Sequence, residues 1–449
     1  MRQLILIVWL LLGINGRELS AQNPVQVFFD TLPGQVKEEF YVLNEGGQSI
    51  KHGPYRNYYP NGALALAGSF QKGQKDSLFI AYYPNGTKQA EVSHRQNLKD
   101  GPFKLYDEQG RLFQSGTYRR DSLQGPLSVY FPTGKLAKRT EFMGNVVHGK
   151  VEIFFENEVL QEEGQYQQGK LHGLSKTYYP SGKIQVEENY QEGTPHGPFA
   201  TYYETGQVRI KANNAMGKKQ GDYRQYAPNG QLVLQTTYDN DQVVGAYQAF
   251  YSNGNPKQTA FYKEGYREGE QKTYYEDGTL QNKTLYRHQE QDQVVEEYYP
   301  NGQKKSQQET KAGQAVGTWR YFHENGQLQR EEAYLEGKVE GLVKTYRPDG
   351  SLETETDYRK GVKYGLERRY NAQGRKTEEI PYRSNILAGT YKAFHPESGK
   401  MTEMGLYRYG KKHGDWRTYD EKGQVIRTMR YQEGKLLSDT QPEEKSNQN

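Results

Sequence analysis

Five of the nine histidines, His52, His148, His172, His196 and His413, stand one residue before a glycine, and three of them are spaced by 24 residues. Imidazoles at a fixed interval suggest a metal ladder. Zinc, however, needs its nitrogen ligands at ~2.0–2.1 Å. If 24 residues make two strands, equivalent atoms lie about 10 Å apart, twice the strand spacing. The histidines are therefore read as turn residues, and the sequence implies no metal and no cofactor. Carboxylates abound, as at Glu187-Glu188 and Glu331-Glu332. A hydrolytic pair must face across a pocket, and no pocket-forming pattern surrounds these. No nucleophile elbow, phosphate loop or metal-ligand spacing occurs. The absence of cysteine removes disulfides, thiolate metal sites and a lipid-modified N-terminal cysteine. No catalytic residue follows from the sequence.

Tyrosine offers a different chemistry. The pairs Tyr178-Tyr179, Tyr202-Tyr203, Tyr274-Tyr275 and Tyr298-Tyr299 recur along the chain. Neighbours on a strand face opposite sides, so each pair puts a ring on both. Rows of exposed tyrosine suit peptide, glycan or protein surfaces. These eight residues form the candidate binding surface. The competing reading is that they only cover a thin sheet.

The element that positions them is a repeat. The glycine of Pro60-Asn61-Gly62 returns as Gly86, Gly182, Gly230, Gly302 and Gly350, always at multiples of 24, and only Glu158 breaks the series before residue 374. One extra residue enters the turn at 394–399. A second glycine slot starts at Gly53 and is filled in 14 of 16 units, with Ser77 and Gln293 as exceptions. A third, from Gly73, holds only Gly, Asn, Asp and one Gln, which marks left-handed backbone. One slot, from Tyr58 to Tyr419, is aromatic in all 16 units. Four slots, beginning at Tyr55, Tyr58, Tyr59 and Phe70, hold 47 of the 58 aromatics.

Each unit reads as strand, turn, strand, turn. Pro-Asn-Gly matches a type I turn closed by a left-handed glycine bulge. The runs between turns have strand length and strand residues, and no window is long enough for an amphipathic helix. The expected fold is all-β: an elongated, single-layer antiparallel meander of about 16 hairpins. The aliphatic slot of Leu64, Leu112 and Leu136 is expected to stack beside the invariant aromatic slot in a thin buried stripe.

Composition agrees. The 449 residues are 34% hydrophobic with a mean hydropathy of −1.03, too polar for two ordinary packed cores. They are also 13% aromatic with near-balanced charge, which argues against disorder. A net charge of +4 over this length excludes a strongly basic nucleic-acid binder. Residues 1–21, with Arg2 before an apolar run and Ala21 before Gln22, read as a secretory signal peptide. Residues 22–52 read as a degenerate hairpin cap, 53–434 as the repeat array, and 435–449 as a polar disordered tail.

The segment 166–182 resembles the MORN repeat (membrane occupation and recognition nexus). The nearer pattern is its bacterial variant, G-x-x-x-G-x-[FYW]-x-x-Y-Y-x-N-G-x-L, over residues 53–434. The resemblance implies a β-repeat scaffold. It also implies two family labels, a phospholipid-surface module and an antitoxin component of a toxin–antitoxin system. A signal peptide disagrees with a cytoplasmic antitoxin, and mixed charges disfavour a one-sided basic stripe for membranes. The sequence-level reading is an exported, non-enzymatic scaffold, periplasmic or secreted and not lipid-anchored. Its expected partner is an unidentified protein or envelope glycan.

Overall fold

A computed structural model describes residues 24–441, so the expected signal peptide and the last eight residues lie outside the described residues. Among the described residues there are 41 strands and no helix. Among the described residues no helix is long and apolar enough to cross a membrane. The chain divides into two compact units. One extends through Gly197 with Glu204–Gly206, and the other comprises Pro198–Tyr203 and everything from Gln207. Within each unit the strands form an antiparallel meander, the expected all-β architecture.

The turns follow from their residues. In the first repeat, Gly62 N–H donates to Tyr59 O at 2.9 Å and Tyr59 N–H to Ala63 O at 2.8 Å. Gly62, Gly86, Gly182, Gly230, Gly302 and Gly350 all have φ between 80° and 86°. These are type I turns with a left-handed bulge residue. Gly230 has no atom within 4 Å of an added Cβ, so its requirement is purely conformational. Gly230→Val should destabilise its hairpin by ~2 kcal/mol, read as a lowered melting temperature, because a β-branched residue at φ > 0 is a genuine outlier. Glu158 takes the same geometry at φ 67°, keeps the turn bond to Phe155 O at 2.9 Å and lies 3.5 Å from Lys135 Nζ. Glu158→Gly should stabilise the first unit by about 1 kcal/mol, and thermal unfolding checks this.

The other turn is tighter. Gln71 pairs with Gln74 around Lys72 and Gly73, at φ 46° and 78°. Two positive φ values in a two-residue hairpin loop make a type I′ turn. The third glycine slot is therefore left-handed as expected, and so is the residue before it. That preceding position holds no β-branched residue in any unit. The second glycine slot is a β-bulge: Gly101 at φ 118° would bring a Cβ to 2.9 Å from Ser93 Cβ. Where Gln293 replaces glycine the bulge is gone. Pairing runs without a shift to Arg287 and Asp292, and the extra residues move into a four-residue loop, 288–291.

The buried stripe differs from the expected one. Tyr58 does pair with Leu64, but both are only half-buried. The deep row takes one residue from each strand and alternates the Tyr55 slot with the position opposite it. In the first unit it runs Tyr55, Gly68, Phe79, Val92, Phe103, Gly116, with Phe79 and Phe103 at 3% and 4% exposure. In the second it includes Trp319, Glu332, Val343, Thr356, Glu367, Ile380, Tyr391, Gly405 and Trp416. Large and small residues alternate because a single layer has no opposing element to fill gaps. A Cβ on Gly68 would sit 2.5 Å from Phe79 Cδ1, so these glycines make room for rings. Lysines from the bulge strand lie over the row, Lys51 at 4.7 Å from the Tyr55 ring and Lys412 at 3.8 Å from Trp416. Their stems shield apolar area while the ammonium groups meet the ring faces.

Both ends depart from the expected boundaries. The N-terminal hairpin pairs Val25–Phe29 with Leu32–Glu45, but its next strand, Gln48–Tyr58, is already the first repeat strand. Disorder does not begin at 435. Lys435–Thr440 forms a strand on Val425–Gln432, held by Arg427 Nη2 to Asp439 Oδ2 at 2.6 Å. Polar composition hid it, because its stability comes from the neighbouring strand.

Candidate binding surface

All eight candidate tyrosines are half-buried, Tyr178 and Tyr179 in the first unit and the other six in the second. Five of the hydroxyls bond within the sheet. In three of the four pairs the second member reaches across to the next repeat. Tyr203, Tyr275 and Tyr299 donate to the backbone carbonyls of Tyr226, Tyr298 and Phe322 at 2.9, 3.0 and 2.9 Å. The first member faces the charged side. Tyr178 donates to Glu163 Oε1 at 2.6 Å and Tyr298 to Glu296 Oε2 at 3.0 Å. Burial, then the bond to Glu296 and its charge, push the Tyr298 phenol up to about 12. Burial and Glu163 push Tyr178 up likewise. Tyr202 and Tyr274 occupy the same slot in their units. The pairs thus bind repeat to repeat, and an exposed double row does not form.

The inter-repeat tie is a geometric role more than a tyrosine role. Further along the same slot, His323 Nε2 lies 2.9 Å from Tyr346 O, and Arg347 Nη2 donates to Tyr370 O. Turn asparagines add a second tie, such as Asn61 Nδ2 to Pro84 O at 3.1 Å and Asn301 Nδ2 to Glu324 O at 2.7 Å. At the tight turns, Asn97 and Asp121 accept from the N–H of Lys75 and Lys99, each at 2.7 Å. Glu290, in the four-residue loop, takes over this task for Arg267 N–H at 2.7 Å. This explains why Asn and Asp alternate with glycine in that slot.

The face carrying Tyr58 is a charge lattice. Its rows alternate sign across successive strands, as in Arg320, Glu331, Lys344, Glu355, Arg368, Glu379 and Lys392. Arg320 Nε lies 2.7 Å from Glu331 Oε2 and Lys176 Nζ 3.0 Å from Glu187 Oε1. Each exposed pair is worth little, but the lattice leaves this face near neutrality.

Open space lies on the opposite face. A cleft of about 530 Å³ is lined by Tyr321, His323, Arg330, Glu332, Tyr346 and Arg347 among others. Glu332 is only 4% exposed. It accepts from Arg330 Nε at 2.9 Å and from Tyr334 O–H at 3.1 Å. A buried carboxylate persists only when so paired. Its polar groups are therefore balanced among themselves and present hydrogen-bonding edges beside two aromatic rings. The five slot histidines are not turn residues: His52, His148, His196 and His413 lie within strands beside the bulge glycine and His172 between two strand segments. Among the described residues no group of three or more His, Asp or Glu converges as a metal site. The sequence did not reveal the cleft. The signal was available in the Tyr55 row, where Glu332 and Glu367 are buried carboxylates in a largely apolar or small series that also admits Glu188, Gln271 and Gln308.

Similarity to known proteins is specific at the level of the repeat. The MORN repeat variant matches ten segments: 51–72, 147–168, 171–192, 195–213, 219–240, 243–264, 267–288, 294–312, 315–336 and 412–438. The chain is a MORN-repeat protein. The units of the MORN array between these segments keep the same hairpins and, apart from the extra residue at 394–399, the same 24-residue step. No curated protein sequence matches the chain. The crystal structures of TcdB2-TccC3 and of TcdB2-TccC3-Cdc42 align with 91% of the chain at 12% identity, with TM-scores of 0.14 and 0.13. The chain spans 28% of the length of each. MORN repeats are generally protein- or membrane-binding modules, and their all-β scaffold is typically non-enzymatic.

Proposed function

We propose that this MORN-repeat protein is an exported, non-enzymatic scaffold that binds another macromolecule at the cell envelope. The observation that carries this reading is that the turn chemistry is used inside the array. Hydroxyl, amide and carboxylate groups at the turns tie one repeat to the next, and the buried atoms left without a partner, such as His148 Nδ1 and Ser306 Oγ, are scattered through different repeats. The array runs from 53 to 434 without a segment of ~100 residues for a catalytic domain. What remains for function is a stiff surface with the Arg330–Glu332 cleft open on it. Residues 1–21 supply the argument for export.

The test is a photo-crosslinking residue placed at Tyr321, which lines the cleft, in intact cells. The expected result is a discrete adduct in the envelope or extracellular fraction that is missing when the photo-residue replaces exposed Phe261. A chain found entirely in the cytoplasm, or equal adducts from both sites, would refute the reading.

A further inference from the structure

The charge lattice neutralises one face, but the tight-turn edge of the second unit is left unbalanced. Three consecutive turns read Arg359-Lys360-Gly361, Arg383-Ser384-Asn385 and Arg408-Tyr409-Gly410, with Lys411 following, and none contains a carboxylate. Among the described residues, Arg359, Arg383 and Arg408 make no ion pair. Arg320, Arg368 and Arg417, on the lattice, each make one. The nearby acids are committed or solitary. Glu340 accepts from Lys360 N–H at 2.7 Å, and Glu433 stands beside Lys411. The turns are fixed in succession by Asn385 N–H to Lys363 O at 3.0 Å and Gly410 N–H to Leu387 O at 2.9 Å. The guanidinium groups therefore form a row, one per repeat.

An aromatic is set into this row. Tyr409 is 80% exposed at φ 49°, and at that turn position no other unit carries Phe, Tyr or Trp. A non-glycine residue there costs on the order of 1 kcal/mol, and so exposed a ring recovers nothing by packing. Cavities of about 380 and 410 Å³ both border it. Lys411, His413 and the carboxylate of Glu433 line the first, Arg383 and Ile386 the second, and Arg408 both. The Arg408 guanidinium carbon is 5.5 Å from the Tyr409 ring centre, and Arg359 is 5.5 Å from that of Tyr364.

We propose that this edge binds an acidic polysaccharide, with sugar rings stacked on Tyr409 and their carboxylates held by Arg383 and Arg408. The planar guanidinium fork matches a carboxylate in two parallel hydrogen bonds. A tyrosine ring offers a broad apolar face at low entropic cost. A repeating row of cations suits a repeating anion. The two hollows beside Tyr409 suit a strand that lies in them. The proposal rests on the envelope-scaffold reading and names its ligand class.

Calorimetric titration of the purified chain tests it, with an oligogalacturonate of about ten sugars as the probe. Neutral dextran, phosphatidylglycerol vesicles and a single-stranded oligonucleotide are the competing probes. Oligogalacturonate should bind and should weaken as salt rises from about 50 to about 200 mM. The R383Q/R408Q double variant should lose about tenfold or more in affinity, and Tyr409→Ala about threefold or more. Both should keep the wild-type melting curve, since these side chains are exposed. R95Q/R119Q, two turn-edge arginines of the first unit, should stay within about twofold. Any one of four results overturns the proposal: no binding, equal binding of dextran, an equal loss in R95Q/R119Q, or tighter binding of vesicles or oligonucleotide lost through the same variants. If oligogalacturonate fails while the Tyr321 adduct persists, the scaffold reading stands and this edge loses its ligand.

Discussion

Gly405→Ala should cost the second unit about 3 kcal/mol and strip amide protection from the strands around it. Gly405 has no left-handed torsion to protect. Its need is for space. An added Cβ would lie 2.1 Å from Trp416 Cδ2 and 2.2 Å from Cε2, and Trp416 is only 1% exposed. The indole cannot withdraw, because its Nε1 donates to Leu406 O at 3.2 Å and Tyr391 stacks 5.5 Å away. Overpacking costs ~1–3 kcal/mol where neighbours can yield. Here the neighbour is a locked ring, which puts the cost at the upper end. The check is non-additivity. Trp416→Val places in the row a residue that Val151 and Val343 already provide in other repeats. The double variant should therefore be less damaged than the two single losses added together. Strict additivity would mean that Gly405 serves some other purpose.

The second large effect concerns Glu367, which puts a carboxylate where other repeats put Phe, Val or Trp. It is 5% exposed, and Lys363 Nζ and Arg369 Nε hold it at 2.5 and 3.0 Å. Burial alone would raise its pKa. The bonds to Lys363 and Arg369, with their charges, outweigh this and set it below the ordinary carboxylate range. A folded-state pKa below the unfolded value contributes stability above the unfolded pKa, and this is lost as pH falls through the folded one. The K363M/R369M variant reverses the sign. An unpartnered buried carboxylate has a raised pKa, so the variant should lose about 3–5 kcal/mol at pH 7. The deficit should shrink as pH falls and Glu367 takes up a proton. Denaturant unfolding of both chains from pH 7 to about pH 4 reads the crossing trends. Parallel pH curves would show that the cations do not carry Glu367.

Most of the backbone is legible in the residues themselves, because turn chemistry is local. Pro60-Asn61-Gly62 and the Gly, Asn and Asp of the third slot announce their torsions by residue type. Depth is harder to read. The Tyr58 slot is aromatic in every unit yet half-buried, while the Tyr55 slot varies from Phe79 to Ser175 to Glu367 and is the deep one. Uniformity of type does not measure depth, which depends on which strand face receives cover. The tyrosine pairs are visible as a pattern, but most of their hydroxyl partners lie 15 to 23 residues away, Glu296 beside Tyr298 being the local exception. The arginine edge escapes a sequence reading for a related reason. Charge balance over the whole chain is near neutral, and only ion-pair geometry separates arginines that are paired from those that are not.

The interchangeable ties at both edges have a kinetic consequence. A Tyr hydroxyl or Asn amide that fits the carbonyl of the next repeat fits nearly as well the carbonyl of the repeat after it. A folding chain can therefore loop out 24 residues and zip onward with every bond made. Such skipped states lie close in energy to the native one and are escaped only by unzipping. Two hairpins break the degeneracy: the four-residue loop at 288–291 and the extra residue in the turn at 394–399. Each fits a single place in the series. The irregularities that look like erosion of the repeat are the marks by which the chain counts its own units.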